Sequence, residues 1–161
     1  MQTAIVYTTT HGTTEKVVAK MQDLLGKQDT VTFNLKNKKD IDLSQFEGII
    51  IGGSIHAGMI QKRVKDFCRE NMSVLLQKPL GLFICGMNVP EYQSQLEKAF
   101  PEELRKHAKS TKVVGGEFLF EKMNFFQKLI VKKISGIKES ISKIDENMIE
   151  EFIMEFKSNG D

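Results

Sequence analysis

The chain of 161 residues has no tryptophan, two cysteines, three prolines and three histidines. Each scarcity excludes something. Cys68 and Cys85 show no metal-like spacing, so two reduced, buried thiols of a cytoplasmic protein are expected. No two of His11, His56 and His107 are spaced as metal ligands, and no metal is expected. With so few prolines and no low-complexity tract, no linker stands out, and no repeat of solenoid length is present. A single domain over residues 1–161 is therefore expected. No apolar run is long enough to span a bilayer. The start runs straight into the apolar segment Thr3–Tyr7, without the charged beginning, long apolar middle and cleavage site of a signal peptide. Neither sign of charge dominates. A formal net charge of +2 is too mild to imply a nucleic-acid partner.

What is present is a 40% hydrophobic fraction arranged in alternating strand-like and helix-like periods. Thr3–Thr8, Thr30–Leu35, Gly48–Gly53, Pro79–Cys85 and Lys112–Phe120 read as strands. Helical stripes run over Thr13–Leu25, with Gly26 at the stop, and over Gln61–Leu76. Others cover Tyr92–His107, with a break at Pro101, then Met123–Ile134 and Asp145–Phe156. Lys36–Gln45 reads as a loop with a short helix. Five strands separated by helices predict an α/β fold with a parallel sheet between two helical layers. Ligands of such sheets sit beyond the carboxyl ends of the strands, so three loops carry the functional reading.

The first loop is Thr8-Thr9-Thr10-His11-Gly12-Thr13-Thr14. Five threonine hydroxyls and the free amides of a helix start meet there, which makes an anion cradle. It holds no lysine or arginine, and neither a P-loop nor a Gly-x-Gly-x-x-Gly pattern is present. Neutral donors suit a monophosphate; the plain alternative is a threonine-rich helix cap. The second loop, Gly52-Gly53-Ser54-Ile55-His56-Ala57-Gly58, clears space with small residues and offers Ile55 and His56 to a flat ring. The third begins Cys85-Gly86-Met87-Asn88 and reaches Tyr92, with apolar and hydrogen-bonding edges. His56 is a candidate contact to a ring rim and His11 to a phosphate; the alternative for both is an exposed loop histidine. Cys85, at the end of a buried strand, reads as packing.

The segment Ile5 to Thr14 resembles the flavodoxin phosphate-binding signature, an apolar strand followed by hydroxyl residues, a small residue and a threonine. That resemblance implies a flavodoxin-like three-layer α/β/α fold with a five-stranded parallel sheet of order 2-1-3-4-5. It also implies flavin mononucleotide (FMN) as cofactor, held by the residues of the three loops. Within that superfamily the chain looks most like the menaquinone-dependent protoporphyrinogen oxidases of heme biosynthesis. The likeness lies in Ile51-Gly52-Gly53-Ser54-Ile55, His56, Gly58, Asn88, Gly115-Gly116-Glu117-Phe118 and Phe126 through Gly136. The chain departs from that group at Thr10, where the group has a basic residue, and at His56-Ala57, where it has an arginine–tyrosine pair.

The oxidase resemblance implies an FMN oxidoreductase that passes electrons from protoporphyrinogen to a membrane quinone. Phe125, Phe126, Leu129, Ile130 and Ile134, flanked by Lys122, Lys128, Lys132 and Lys133, form the one segment suited to peripheral membrane contact at the inner face of the cell membrane. The plain alternative is a helix packed on the core with solvated lysines. The alternative function is a flavodoxin-type electron carrier without its own substrate. Such carriers are usually strongly acidic, which this chain is not, and the missing tryptophan leaves no clear aromatic stack for the ring. A binding module without redox turnover is the third reading.

Overall fold

The strand runs are apolar on both faces, so they must be sandwiched between helices. A computed structural model describes residues 1–38, 40–136 and 139–158; Lys39, in the expected loop over 36–45, lies outside them. In chain order come β1 (Thr3–Tyr7), α1 (Thr13–Leu25), β2 (Thr30–Asn34), β3 (Gly48–His56), β4 (Met59–Ile60), α2 (Lys62–Glu70), α3 (Met72–Leu75) and β5 (Leu80–Cys85). Then follow α4 (Tyr92–Ala99), α5 (Glu102–His107), β6 (Ser110–Val113), β7 (Glu117–Phe118), α6 (Phe125–Ser135), β8 (Ile141–Ser142) and α7 (Glu146–Lys157).

The five long strands are parallel and ordered β2-β1-β3-β5-β6, which is the expected 2-1-3-4-5 path once the short β4 is numbered. β4 is a sixth strand that the apolar pattern does not reveal, pairing antiparallel with the end of β3. The expected second loop is mostly this hairpin: β3 continues to His56, and Ala57 (φ 49°) and Gly58 (φ 78°) make the turn. Left-handed backbone at both central positions is what a tight hairpin turn demands. The expected strand over Lys112–Phe120 is divided. β6 ends at Val113, Gly115 (φ 74°) bends the chain out of the sheet, and β7 pairs with β8 in a separate ribbon. The expected helix over Gln61–Leu76 is also divided, at Asn71, whose side-chain amide donates to the Phe67 carbonyl at 2.9 Å.

Alternate residues of each strand feed two cores. Ala4, Val6, Ile49, Ile51, Leu82 and Ile84 pack with Val64, Phe67, Phe100 and Leu104 of α2 to α5. Ile5, Tyr7, Ile50 and Phe83 pack with Val17, Val18 and Met21 of α1 and with Ile149, Phe152 and Phe156 of α7. Glycines on the strands make room for rings: Phe83 fills the space beside Gly52, Phe152 that beside Gly81, and Phe156 that beside Gly48.

One helix does not join either core. α6 has no buried residue, and its Phe125 and Phe126 are 69% and 72% exposed. A core-facing helix is therefore not what forms. Local signals hold it instead: a capping box between Asn124 and Gln127, and Gly136 (φ 70°) at its end. Among the described residues no helix is long and apolar enough to cross a membrane.

Candidate functional site

The three loops do converge at the carboxyl ends of the parallel strands. In the first, Gly12 (φ 96°) turns the chain into α1, and its N–H donates to Thr9 Oγ1 at 2.9 Å. Thr8 and Thr14 are buried, and Oγ1 of each lacks an oxygen or nitrogen partner; Thr14 faces the Cys85 thiol. Thr13 Oγ1 donates to Glu117 at 3.2 Å. Thr10 is exposed, its hydroxyl accepting from Gln61 Nε2 at 3.4 Å.

A cleft of about 710 Å³ opens beside this loop, within the roughly 300–1,000 Å³ usual for cofactor sites. Its walls include His11, Thr13, Ser54, Ile55, His56, Ala57, Gly58, Cys85, Gly86, Met87 and Asn88, all read from sequence. Thr8, Thr9, Thr10, Gly12 and Thr14 form the adjoining turn rather than the wall. Gly53 is not among the cleft-lining residues, and a Cβ there would meet Gln61 Oε1 at 2.6 Å. Tyr92 supports the wall from behind, donating its hydroxyl to the Gly86 carbonyl at 2.9 Å. A shallower depression between α1 and α7, lined by Leu24, Ile153 and Met154, contains none of the three loops.

Several residues of the site escape sequence reading. Gln61, at the foot of α2, clamps Ser54 with two hydrogen bonds, at 3.0 Å and 2.8 Å. Glu117 is nearly fully buried beside the first loop, paired with Lys16 at 3.0 Å and bonded to Ser142. Lys122 places its Nζ 3.2 Å from the His11 carbonyl oxygen. The loop thus has a cation close by, although its own sequence contains none. Gln127, Ile130, Val131 and Ile134 of α6 overhang the cleft. The only forward signal for these residues was the Gly115–Phe118 likeness and the basic stretch around α6.

Electrostatics separate the groups. Burial pushes the Cys85 thiol up to about 12, so it stays neutral and is no nucleophile at physiological pH. Burial, then Lys122 and Lys36, hold His11 below the ordinary imidazole range, against an opposing hydrogen bond that the ring donates to Gln127. Burial, then His11 and Lys36, lower His56. Among the described residues no group of acidic, cysteine or histidine side chains could hold a metal ion.

A parallel three-layer sheet with a hydroxyl-rich turn after its first strand and a cleft at the strand ends defines a flavodoxin-like protein. The chain belongs to the flavodoxin domain family, whose model matches residues 4–145. It is similar along 98% of its length, and 98% of the other chain, to a flavodoxin of Fusobacterium nucleatum bound to flavin mononucleotide, at 20% identity and a TM-score of 0.51. It also matches a flavo-diiron protein of Thermotoga maritima, at 19% identity and a TM-score of 0.56, over 96% of this chain but 35% of that one. The rubredoxin:oxygen oxidoreductase of Desulfovibrio gigas is similar at 14% identity and a TM-score of 0.55, over 97% of this chain and 37% of that one. These likenesses establish the fold. No curated protein matches the chain.

Proposed function

We propose that the chain binds FMN at this site and acts as an electron-transfer flavoprotein of the flavodoxin type. The observation that carries the reading is a set of unmet hydrogen bonds. Five buried side-chain atoms among the described residues lack partners, and four of them, on Thr8, His11, Thr14 and Gln95, belong to the first loop or the cleft. Buried polar atoms are normally paired, so a cluster of unpaired ones marks where a ligand completes the bonding. The threonine loop and the N-terminus of α1 would hold the phosphate, and the cleft between His56 and Asn88 the ring. When bound, FMN supplies the one- and two-electron redox chemistry, while the protein orients it and limits water. The purified chain is expected to bind FMN about stoichiometrically and to prefer it to the dinucleotide. Replacing Thr9 and Thr14 together by alanine removes two hydroxyl donors. At roughly 1.5–3 kcal/mol per hydrogen bond to a charged group, FMN affinity should fall at least tenfold. Unchanged affinity, read by fluorescence titration, would remove the phosphate from this loop.

A second reading, an oxidase that takes electrons from protoporphyrinogen to a membrane quinone, is favoured by α6. Its exposed apolar stripe reaches the cleft through Ile130 and Ile134, and lysines 128, 132 and 133 flank it. A quinone dissolved in the bilayer would need such a contact at the inner face of the membrane. The family and the solved neighbours support the flavodoxin reading and do not reach this subtype. Exchanging Lys128, Lys132 and Lys133 for glutamine should weaken binding to anionic vesicles at low salt at least tenfold, since each basic residue near the surface contributes about 1 kcal/mol. If the parent protein does not sediment with such vesicles and does not reduce quinone, the oxidase reading is lost and the carrier remains.

A further inference from the structure

Two imidazoles meet in the cleft, one from the first loop and one from the second. The rings of His11 and His56 lie edge to face, with centroids 5.9 Å apart and planes at 74°. They are held from different sides. His11 Nε2 is buried without a partner. His56 Nε2 is 3.0 Å from Ser54 Oγ, which Gln61 Nε2 fixes at 2.8 Å; the same Gln61 nitrogen reaches Thr10 Oγ1 at 3.4 Å. A chain of polar contacts therefore joins the second loop back to the phosphate loop.

Glu91, Lys98 and Glu117 line the same cleft, and the side-chain charges that act on the two rings are those of Lys122 and Lys36. Lys122 arrives from the turn before α6 with its ammonium on the His11 carbonyl, and Lys36 faces both rings from the turn after β2. Glu117 of β7, beside the first loop, is engaged by Thr13, Lys16 and Ser142. Burial, Lys122 and Lys36 hold His11 below the ordinary imidazole range, and burial, His11 and Lys36 do the same for His56, which favours the neutral form of both. A phosphate dianion in the threonine loop reverses the sign of the local field and favours the charged form of an imidazole.

Resting on the FMN reading, we propose that His11 and His56 form a proton-coupled phosphate clasp. Docking of a phosphate monoester loads one proton onto the pair, and the imidazolium supplies a cation to a loop whose own sequence has no lysine or arginine, beside Lys122 from the turn before α6. The pair's affinity for a proton is then higher in the complex than in the free protein. The added binding is fully present at low pH and is lost as pH rises through the range between the free and the bound values. Below about pH 6 the second ionisation of phosphate acts in the opposite sense, so the range to measure is above it.

The test is calorimetric titration of FMN-free protein with FMN at pH 7.0, in two buffers that differ in ionisation enthalpy. Uptake of about one proton per FMN is expected, with Kd rising about tenfold between pH 6.5 and 8.5. Riboflavin, which lacks the phosphate, should bind with no uptake. His11→Asn and His56→Asn should each weaken FMN binding at pH 6.5 and flatten its pH dependence. In the parent protein, FMN binding with no proton uptake and a constant Kd over this range overturns the clasp and leaves the FMN reading intact. Failure of FMN to bind at any pH overturns both.

Discussion

Gly115→Ala should lower the stability of the protein by about 2–5 kcal/mol and weaken its hold on FMN. Gly115 has φ 74°, and a Cβ there would collide with the Lys143 carbonyl oxygen and stand 3.0 Å from the Asp145 backbone nitrogen. A left-handed alanine costs roughly 1–2 kcal/mol, and overpacking against backbone adds about 1–3 kcal/mol because backbone cannot swing aside as a side chain can. The position is also a junction. The Gly115 carbonyl accepts from Gly86 N at 2.9 Å, Lys143 N donates to the Gly116 carbonyl at 2.8 Å, and Asp145 N donates to the Val114 carbonyl at 2.9 Å. Moving any of these strands displaces Gly86 and Glu117 at the cleft. Urea denaturation and FMN titration of the same preparation check both effects; a stability within 1 kcal/mol of the parent would contradict the close approach described.

Phe152→Ala should cost at least as much stability and spare the site. The ring is fully buried, meets Phe83 edge to face at 6.0 Å, and fills the space beside Gly81. Its removal forfeits transfer energy and leaves a cavity, about 3–5 kcal/mol in all. Net stabilities of about 5–15 kcal/mol make that a large share. At roughly 2–4 °C per kcal/mol for a chain of this size, the melting temperature should drop by about 6–20 °C. FMN stoichiometry at 15 °C should match the parent, because α7 does not line the cleft. A shift below 2 °C would mean that the ring is not the wedge between sheet and helix.

The parts of this fold that were legible in sequence are those decided by neighbours in the chain. The apolar runs of β3 and β5, the stop at Gly26 and the break at Pro101 are local matters of hydrophobic period and backbone chemistry. The threonine loop was legible for the same reason, since helix start, glycine and hydroxyls are contiguous. What was not legible depends on distant contacts. β4 exists because β3 overruns the sheet and folds back, and the run over 112–120 divides because Gly115 must meet the returning chain at Lys143. Lys122 lies 111 positions from the residue it touches, and nothing in a basic stretch says where one ammonium will land. His11 and His56 each looked like a lone loop histidine; only the fold shows that they face each other. α6 followed local propensity and capping, while its place over the cleft had no sequence signal.

The interlock of α7 with the sheet also bears on how the protein is made. Phe152 and Phe156 occupy gaps beside Gly81 and Gly48, so part of one face of β1, β3 and β5 is sealed by residues synthesised long after those strands. Roughly seventy residues separate the end of β5 from the end of α7, which takes on the order of 4–14 s at about 5–20 residues per second. During that interval Ile5, Ile50 and Phe83 have α1 against them but lack the part of their cover that α7 supplies. The nascent chain is then most open to chaperone capture and to aggregation, and synonymous codons that slow translation between β5 and α7 would lengthen that exposure.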